Sequence, residues 1–508
     1  MVRPRSKIAS LAGVLCAMAF TAAPEPVVLA GPTAVAGGPL PVVPAVRSFT
    51  PRTGAAWKPG TSTRVVATRG GTLEDEARLL AGELHVPYAD GPARAGDVSL
   101  SLDRVNANPE AYELTAGSGG ITVRGRTDAG VFYGTRTLLQ VLRADGRFPA
   151  GAVRDEPDRA QRGLTVDIAR KNFSRGWIED RIRELGDLKL NQLHLHFSDD
   201  QGFRIESSSH PEIVSAQHLS KADLRAITAL AERRHVTVVP EIDTPGHLGS
   251  VFAAHPELQL RDASGAPAHG AIDISDPRAA RITDDLLREF APLFPGPYWH
   301  LGGDEYHAAI VPAPEAAYPR LAALARRRYG PGATVADAET GWLNDRAALL
   351  RSYGKIPKFW NDGFHGSALA RPDTADEIEY WSGKRLRGRR PEEYLKEGRR
   401  LVNLNDEYLY YILGGPKSFP YPTGQRIYEK WTPAVVYGTA AVAAGLSGPD
   451  RILGARFAIW CDDAAAQTEA QIAAGIRMPL RALSQKLWDP GRPALSWRKF
   501  TALAGRVG

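Results

Sequence analysis

This 508-residue sequence predicts an α/β fold, a closed (β/α)₈ TIM barrel preceded by a small α+β domain. Three observations carry that expectation. From about residue 160 a rhythm of apolar strand, polar strand end and helical stretch recurs along the chain. Eight candidate strands fit into roughly 330 residues, the usual scale of such a barrel. Polar groups follow each strand at its C-terminal end, where barrels of this kind carry their chemistry.

Taken in order, residues 1–30 have the layout of a secretory signal peptide. Arg3, Arg5 and Lys7 precede an apolar stretch at 8–23 that is short for a membrane span, and small residues follow. The chain is therefore expected to be secreted, with no membrane span. Residues 31–45 are Pro, Gly, Ala and Val without period and read as a flexible lead-in. Segment 46–158 is expected to be the α+β domain. Strands at 64–67 and 98–102 flank a helix at 73–84 with Glu74, Asp75 and Glu76 in its first turn, and 112–115 with 121–125 form a hairpin around a Gly-rich turn. Segment 159–508 is the barrel, with strands at 164–168, 192–197, 237–241, 298–301, 357–360, 377–381, 401–404 and 455–460. Helical spacing lies between several of them, as at 177–190 and 221–234.

Composition excludes several function classes. The formal charge is +6, of which +2 lies within residues 1–30, and no basic stripe with interleaved aromatics argues for a nucleic-acid partner. The one dense basic run, residues 384–390, reads as a solvated loop or as a contact for acidic or sulfated glycans. Of the two cysteines, Cys16 lies in the signal segment, so Cys461 alone can form neither an intrachain disulfide nor a thiolate zinc cluster. The acids and histidines are spread over different strands without a ligand-spaced motif such as HExxH, and no metal or cofactor is expected.

The strand ends carry the chemistry. They supply Asp167 and Arg170; Ser198, Asp199 and Asp200; Glu241, Asp243 and His247; Asp304 and Glu305; Asn361 and Asp362; Trp381; residues 403–406 with Tyr408; and Trp460 with Asp462. Asp262 and Asp276, out in loops, read as caps. After the fourth strand, Gly302 and Gly303 allow a tight turn that presents Asp304 and Glu305 side by side. Like charges a few ångströms apart raise each other's pKa, and a raised pKa lets a carboxyl serve as a general acid near neutral pH. Trp360, Trp381 and Trp460 beside acids suit a sugar site, where aromatic faces stack on pyranose rings and carboxylates hold hydroxyls.

These motifs resemble glycoside hydrolase family 20, the β-N-acetylhexosaminidases and their relatives. The resemblance runs from about 112 to 490 and rests on residues 128–140, 167–170, 194–202, 240–247 and 300–305 in that order. It implies a retaining hydrolase in which the 2-acetamido oxygen of the substrate attacks the anomeric carbon, giving an oxazolinium ion. By that resemblance Glu305 protonates the leaving oxygen and then activates water, while Asp304 orients the acetamido N–H. Tyr408 would hold the acetamido oxygen, Trp360, Trp381 and Trp460 would wall the pocket, and Arg170 would grip ring hydroxyls. Asp199 and His247 would tune the proton on Glu305.

Three departures from the family pattern stand out: no long Gly-rich loop between Arg204 and Leu224, Tyr410 where the family's Tyr-Leu-Asp motif has its acid, and Asp462 in place of Glu in a Trp-x-Glu motif. A roomier pocket there would admit a Gal-GlcNAc disaccharide, as in the family's lacto-N-biosidases, and Tyr306 also looks like that branch. Arg170 pulls toward a single terminal sugar. The expected partner is an oligosaccharide or glycoconjugate. A non-catalytic glycan-binding barrel and a metal-dependent hydrolase are the competing readings, and the joint presence of Asp304, Glu305 and Tyr408 weighs against the first.

Overall fold

The computed structural model describes residues 39–69, 71–103, 107–365, 369–384, 388–415 and 419–508. The expected signal peptide, the lead-in as far as residue 38, and residues 385–387 of the basic run lie outside these.

Eight strands build the barrel: Gln161–Asp167, Gln192–His196, Thr237–Glu241, Tyr298–His300, Ile356–Trp360, Glu377–Tyr380, Leu401–Asn403 and Ile452–Trp460. Each is parallel to the next, and the eighth pairs with both the first and the seventh, so the sheet closes on itself. An additional short strand, Tyr410–Ile412, runs parallel to the end of the eighth. Register matters most at the C-terminal rim. Asp167 lies opposite His196, His196 opposite Glu241, and Glu241 opposite His300. Four polar groups thus stand at one level beneath the strand-end loops.

Helices form the outer ring because their apolar faces repeat at helical spacing. In Arg175–Asp187 the buried side chains include Ile178, Ile182 and Leu185, and Ser174 opens the helix by accepting the N–H of Trp177. Ser220 and Asp223 cap Lys221–Arg233 reciprocally, and Asp276 caps Pro277–Phe290 as its loop position suggested. Asp262 instead closes a hairpin turn, accepting the N–H groups of Ser264 and Ala266.

The barrel interior differs from the branched apolar filling usual for this fold. Lys358 Nζ lies 2.7 Å from Glu377 Oε2 and 3.3 Å from Glu379 Oε1, and Arg456 pairs with Glu379 and donates to Gln192 Oε1 at 2.6 Å. All are buried. Burial pulls the Lys358 ammonium down to about 8 despite Glu377, and the Arg456 guanidinium down to about 9 despite Glu241. The sequence marks this layer through charges at interior strand positions. A buried ion pair is costly to break, because the surviving charge has no water to turn to. Arg456→Met is therefore expected to lower stability by about 3–5 kcal/mol, read from denaturant midpoints at unchanged slope.

The α+β domain has seven short strands in one sheet, including the expected hairpin, here Tyr112–Gly117 against Gly120–Gly125. Helix Asp128–Asp145 packs so closely on this sheet that a Cβ on Gly134 would come 2.4 Å from Val123 Cγ1. The domain joins the barrel through buried polar contacts. Lys189 reaches Asp155 at 3.1 Å and Tyr112 at 2.8 Å, Arg162 pairs with Glu110 at 2.7 Å, and Trp488 donates to Asp155 at 2.8 Å. Residues 39–45, expected as part of a flexible lead-in, pack instead: Leu40, Val42 and Val43 are buried. Gln140 bonds both backbone groups of Val43, and Gln485 accepts the N–H of Ala45. Composition alone missed those glutamine partners. No helix among the described residues is long and apolar enough to cross a membrane.

Candidate active site

The turn after the fourth strand is held from both sides. Gly302 and Gly303 have φ of +69° and +94°, and a Cβ on Gly302 would fall 1.7 Å from Asp243 Oδ1. Asp243, following the third strand, accepts the N–H of Gly303 at 3.0 Å; Asp362, following the fifth, accepts that of Glu305 at 3.0 Å. Glu305 itself adopts φ +51°, a left-handed conformation that costs roughly 1–2 kcal/mol in a non-glycine residue. The turn places Asp304 and Glu305 together on a cavity of about 310 Å³ at the C-terminal mouth of the barrel. The Asp304 side chain is 15% exposed and that of Glu305 46%. Asp304 Oδ1 is buried with no hydrogen-bond partner among the described residues.

The surrounding charges set the protons. Burial raises the Glu305 carboxyl above its usual range, and the Asp304 charge raises it further. Burial and Asp304 likewise push Asp362 up to about 8 and Asp243 well above the carboxylate range. Burial opposes a charge on His247, but Asp304 and Asp199 overcome it and lift the imidazole to about 10. His247 Nε2 lies 3.7 Å from both Asp304 Oδ2 and Glu305 Oε2, and its Nδ1 lies 3.3 Å from Asp199 Oδ1. Asp199, His247 and Glu305 thus lie within ion-pair distance of one another in that order. Asp199 is a hub: its Oδ2 meets Arg170 and His196, each at 2.8 Å. Burial works against its charge, but His247, His196 and Arg170 hold it well below the carboxylate range. Arg170 is braced by Asp167 at 3.0 Å and Asp199, so each terminal nitrogen keeps a second N–H for a ligand.

Aromatic side chains close the cavity. Trp381 and Trp460 line it, and Tyr410 lies parallel to Trp381 at 5.9 Å and 5.8 Å from Trp460. Trp381 is fixed by donating its indole N–H to Asp362 at 2.8 Å. Asp462, on the loop after the eighth strand, completes the rim near Arg170.

The model of the glycosyl hydrolase family 20 catalytic domain matches residues 160–490, and that of family 20 domain 2 matches 40–156. The chain belongs to glycosyl hydrolase family 20. It is similar to a lacto-N-biosidase of Bifidobacterium bifidum, 31% identical over 476 residues that span 92% of this chain and 41% of that protein. A β-N-acetylhexosaminidase of Cellulomonas fimi is 30% identical over 315 residues, 56% of this chain and 60% of the relative. The chain thus spans less than two thirds of both curated relatives. The family 20 β-N-acetylhexosaminidase of Streptomyces coelicolor A3(2) shares the fold, with a TM-score of 0.73 at 23% identity over 92% of this chain and 93% of that one.

Two family 20 assignments made from motif position change. Tyr408 does not line the cavity: its ring packs in the apolar core with the Arg426 guanidinium 4.3 Å away. After the seventh strand the chain turns, with Asn405 O accepting the N–H groups of Tyr408 and Leu409, before a new strand starts at Tyr410. Motif position alone does not fix which side chain faces the cavity after such a turn. Tyr410 faces the cavity instead. Its phenol is held well above its usual range by burial and then by the Asp304 charge, so it remains a hydrogen-bond donor. Trp360 also leaves the wall. It lies beneath the cavity, donating its indole N–H to Glu241 Oε1 at 2.7 Å, with its ring 5.9 Å from Trp460. Tyr410→Phe is expected to lower kcat about 100-fold, as for loss of one donor at a reacting oxygen, while Tyr408→Phe stays near wild type. Steady-state turnover of an aryl N-acetylglucosaminide checks both.

Asp243 and Asp362 are the main residues that strand-end reading saw but gave no role. Their role depends on strands three, four and five being neighbours, which a linear sequence displays only once the barrel is closed. Groups of metal-ligating atoms also occur among the described residues, among them buried His194, Glu241 and His300, and Asp199, Asp200 and His247 at the cavity. Some of their atoms are engaged within the protein: Glu241 accepts from Trp360, His300 Nδ1 accepts the N–H of Gly302 at 3.0 Å, and Asp199 meets Arg170 and His196.

Proposed function

We propose that this chain is a secreted, retaining exo-glycosidase that removes terminal β-linked N-acetylhexosamine by substrate-assisted catalysis. The observation that carries the reading is the pairing of a raised carboxyl, Glu305, with an adjacent carboxylate, Asp304, whose buried Oδ1 makes no hydrogen bond among the described residues, with the Asp243 carboxyl as its neighbour. An amide N–H of a bound 2-acetamido sugar satisfies that acceptor. Asp304 then aims the acetamido oxygen at the anomeric carbon and offsets the positive charge that develops on the group as the oxazolinium ring closes. Tyr410 holds the same oxygen in position. Glu305 gives its proton to the glycosidic oxygen as that bond breaks. The resulting carboxylate takes a proton from a water whose oxygen bonds the anomeric carbon, displacing the acetamido oxygen so that the ring opens and the acetamide is restored. His247, cationic between Asp199 and the pair, steadies Glu305 in its ionised interval. Secretion rests on the basic and apolar layout of residues 1–30.

A second reading is favoured by the far wall. With Tyr410 as the pocket tyrosine, Ile412 stands where the family motif has its acid, and Ile412 and Phe419 present an apolar face beside the shorter Asp462. Such a wall binds no terminal hydroxyl tightly and leaves room for a second sugar, as a lacto-N-biosidase needs. Comparing products from one tetrasaccharide that ends in Gal-β-GlcNAc, and from its degalactosylated form, tests both readings. Release of GlcNAc from the trimmed substrate alone supports the exo-hexosaminidase. Intact disaccharide from the full substrate supports the second reading, and no release from either sinks both.

A further inference from the structure

A second cavity, of about 250 Å³, adjoins the first and shares with it only Glu305 and His247. Neither Asp304 nor the tryptophans line it; its walls are Asp200, His269, Gly270, His307 and Ile310. Glu305 thus borders two compartments. A proton donor must reach the glycosidic oxygen, the atom that joins the departing group to the sugar being cleaved. With the acetamido sugar held on Asp304 in the first compartment, the departing group is directed into the second. We infer that this cavity is the leaving-group site, and that His269, His307 and Asp200 bind hydroxyls of a hexose there. The inference rests on the proposed glycosidase reading.

The cavity is built and tied to the catalytic turn. Hairpin Gln259–Arg261 with Pro267–Ile272 brings His269 to the rim, where its side chain is 88% exposed and its Nδ1 lies 3.3 Å from Asp200 Oδ2. Asp200 is anchored by the N–H of Gly249 at 2.8 Å. Gly270, at φ +63°, lets the hairpin lie against that carboxylate: a Cβ there would come 2.8 Å from Asp200 Oδ1. On the opposite wall, His307 opens the short helix His307–Ile310 two residues after Glu305. Between them, the Tyr306 hydroxyl donates to Ile272 O at 2.9 Å, tying the hairpin to the turn that carries Glu305. Among the described residues the lining has no Trp, Tyr or Phe, and Ile310 is its one large apolar side chain. Two imidazoles and a carboxylate can each donate to or accept from hydroxyls, which suits a sugar and offers little to an aryl group.

The test compares wild type, His269→Ala and His307→Ala on two substrates carrying the same sugar to be released, one with a nitrophenyl leaving group and one with a hexose. Each variant is expected to keep wild-type turnover of the nitrophenyl glycoside, which also certifies its fold. On the oligosaccharide each should lose roughly tenfold in kcat/KM, mostly through KM, as for one lost hydrogen bond to a bound sugar. Unchanged oligosaccharide kinetics, or an equal loss on both substrates, overturns the leaving-group site while leaving the glycosidase reading intact. If wild type cleaves neither substrate, that reading fails and the inference falls with it.

Discussion

Glu305→Gln is expected to lower kcat on oligosaccharides by about 10³-fold while sparing most turnover of nitrophenyl glycosides. The amide keeps the shape and the hydrogen-bonding size of the carboxyl but has no proton to give. A sugar leaving group needs that proton, since an alkoxide is a poor leaving group; a nitrophenolate does not. Burial and then the Asp304 charge raise the Glu305 carboxyl above its usual range, which favours the protonated form that the donor role needs. Steady-state kinetics on the two substrate classes checks the split, and equal loss on both would remove Glu305 from the role of proton donor.

Asp304→Asn should fold as wild type yet turn over about 10²–10³-fold more slowly on every substrate, including activated ones. The loss is uniform because Asp304 acts on the attacking acetamido group, which the leaving group does not relieve. A second consequence follows from the charge. Asp304 helps raise both Glu305 and His247, so neutralising it lowers both pKa values. Since Glu305 must be protonated to act, the basic limb of the kcat/KM profile should move to lower pH in this variant. A slow enzyme with an unmoved basic limb would place the effect in packing and not in charge.

The barrel was legible because each strand is an apolar run ending in polar groups, and because helical spacing recurs between strands, as at 177–190 and 221–234. Asp304, Glu305, Arg170, Asp199, His247, Trp381, Trp460 and Asp462 all meet at one cavity, as their shared position at strand ends implied. Tyr408 failed for a local reason. It was placed by its position in the family motif, and the turn at Asn405 to Leu409 shifts the chain so that Tyr410 lines the cavity. Trp360 failed through depth: it belongs to the fifth strand proper, one layer below the rim residues Asn361 and Asp362. The ionic layer of Lys358, Glu377, Glu379 and Arg456 was visible as charges inside strands, but its pairing required knowing that strands five, six and eight face a common interior. The cavity beyond Glu305 depends on the hairpin between the third strand and helix Pro277–Phe290, a segment whose sequence read as loop.

In the proposed mechanism the acetamido oxygen of the substrate, positioned by Asp304, is the nucleophile. Aryl glycosides bearing acetamido, fluoroacetamido, difluoroacetamido and trifluoroacetamido groups at C2 test it most directly, because each fluorine weakens that oxygen as a nucleophile while changing its size little. With the acetamido oxygen as nucleophile, kcat/KM falls steeply with every fluorine added and the product sugar keeps the β configuration. A rate indifferent to fluorination would contradict it.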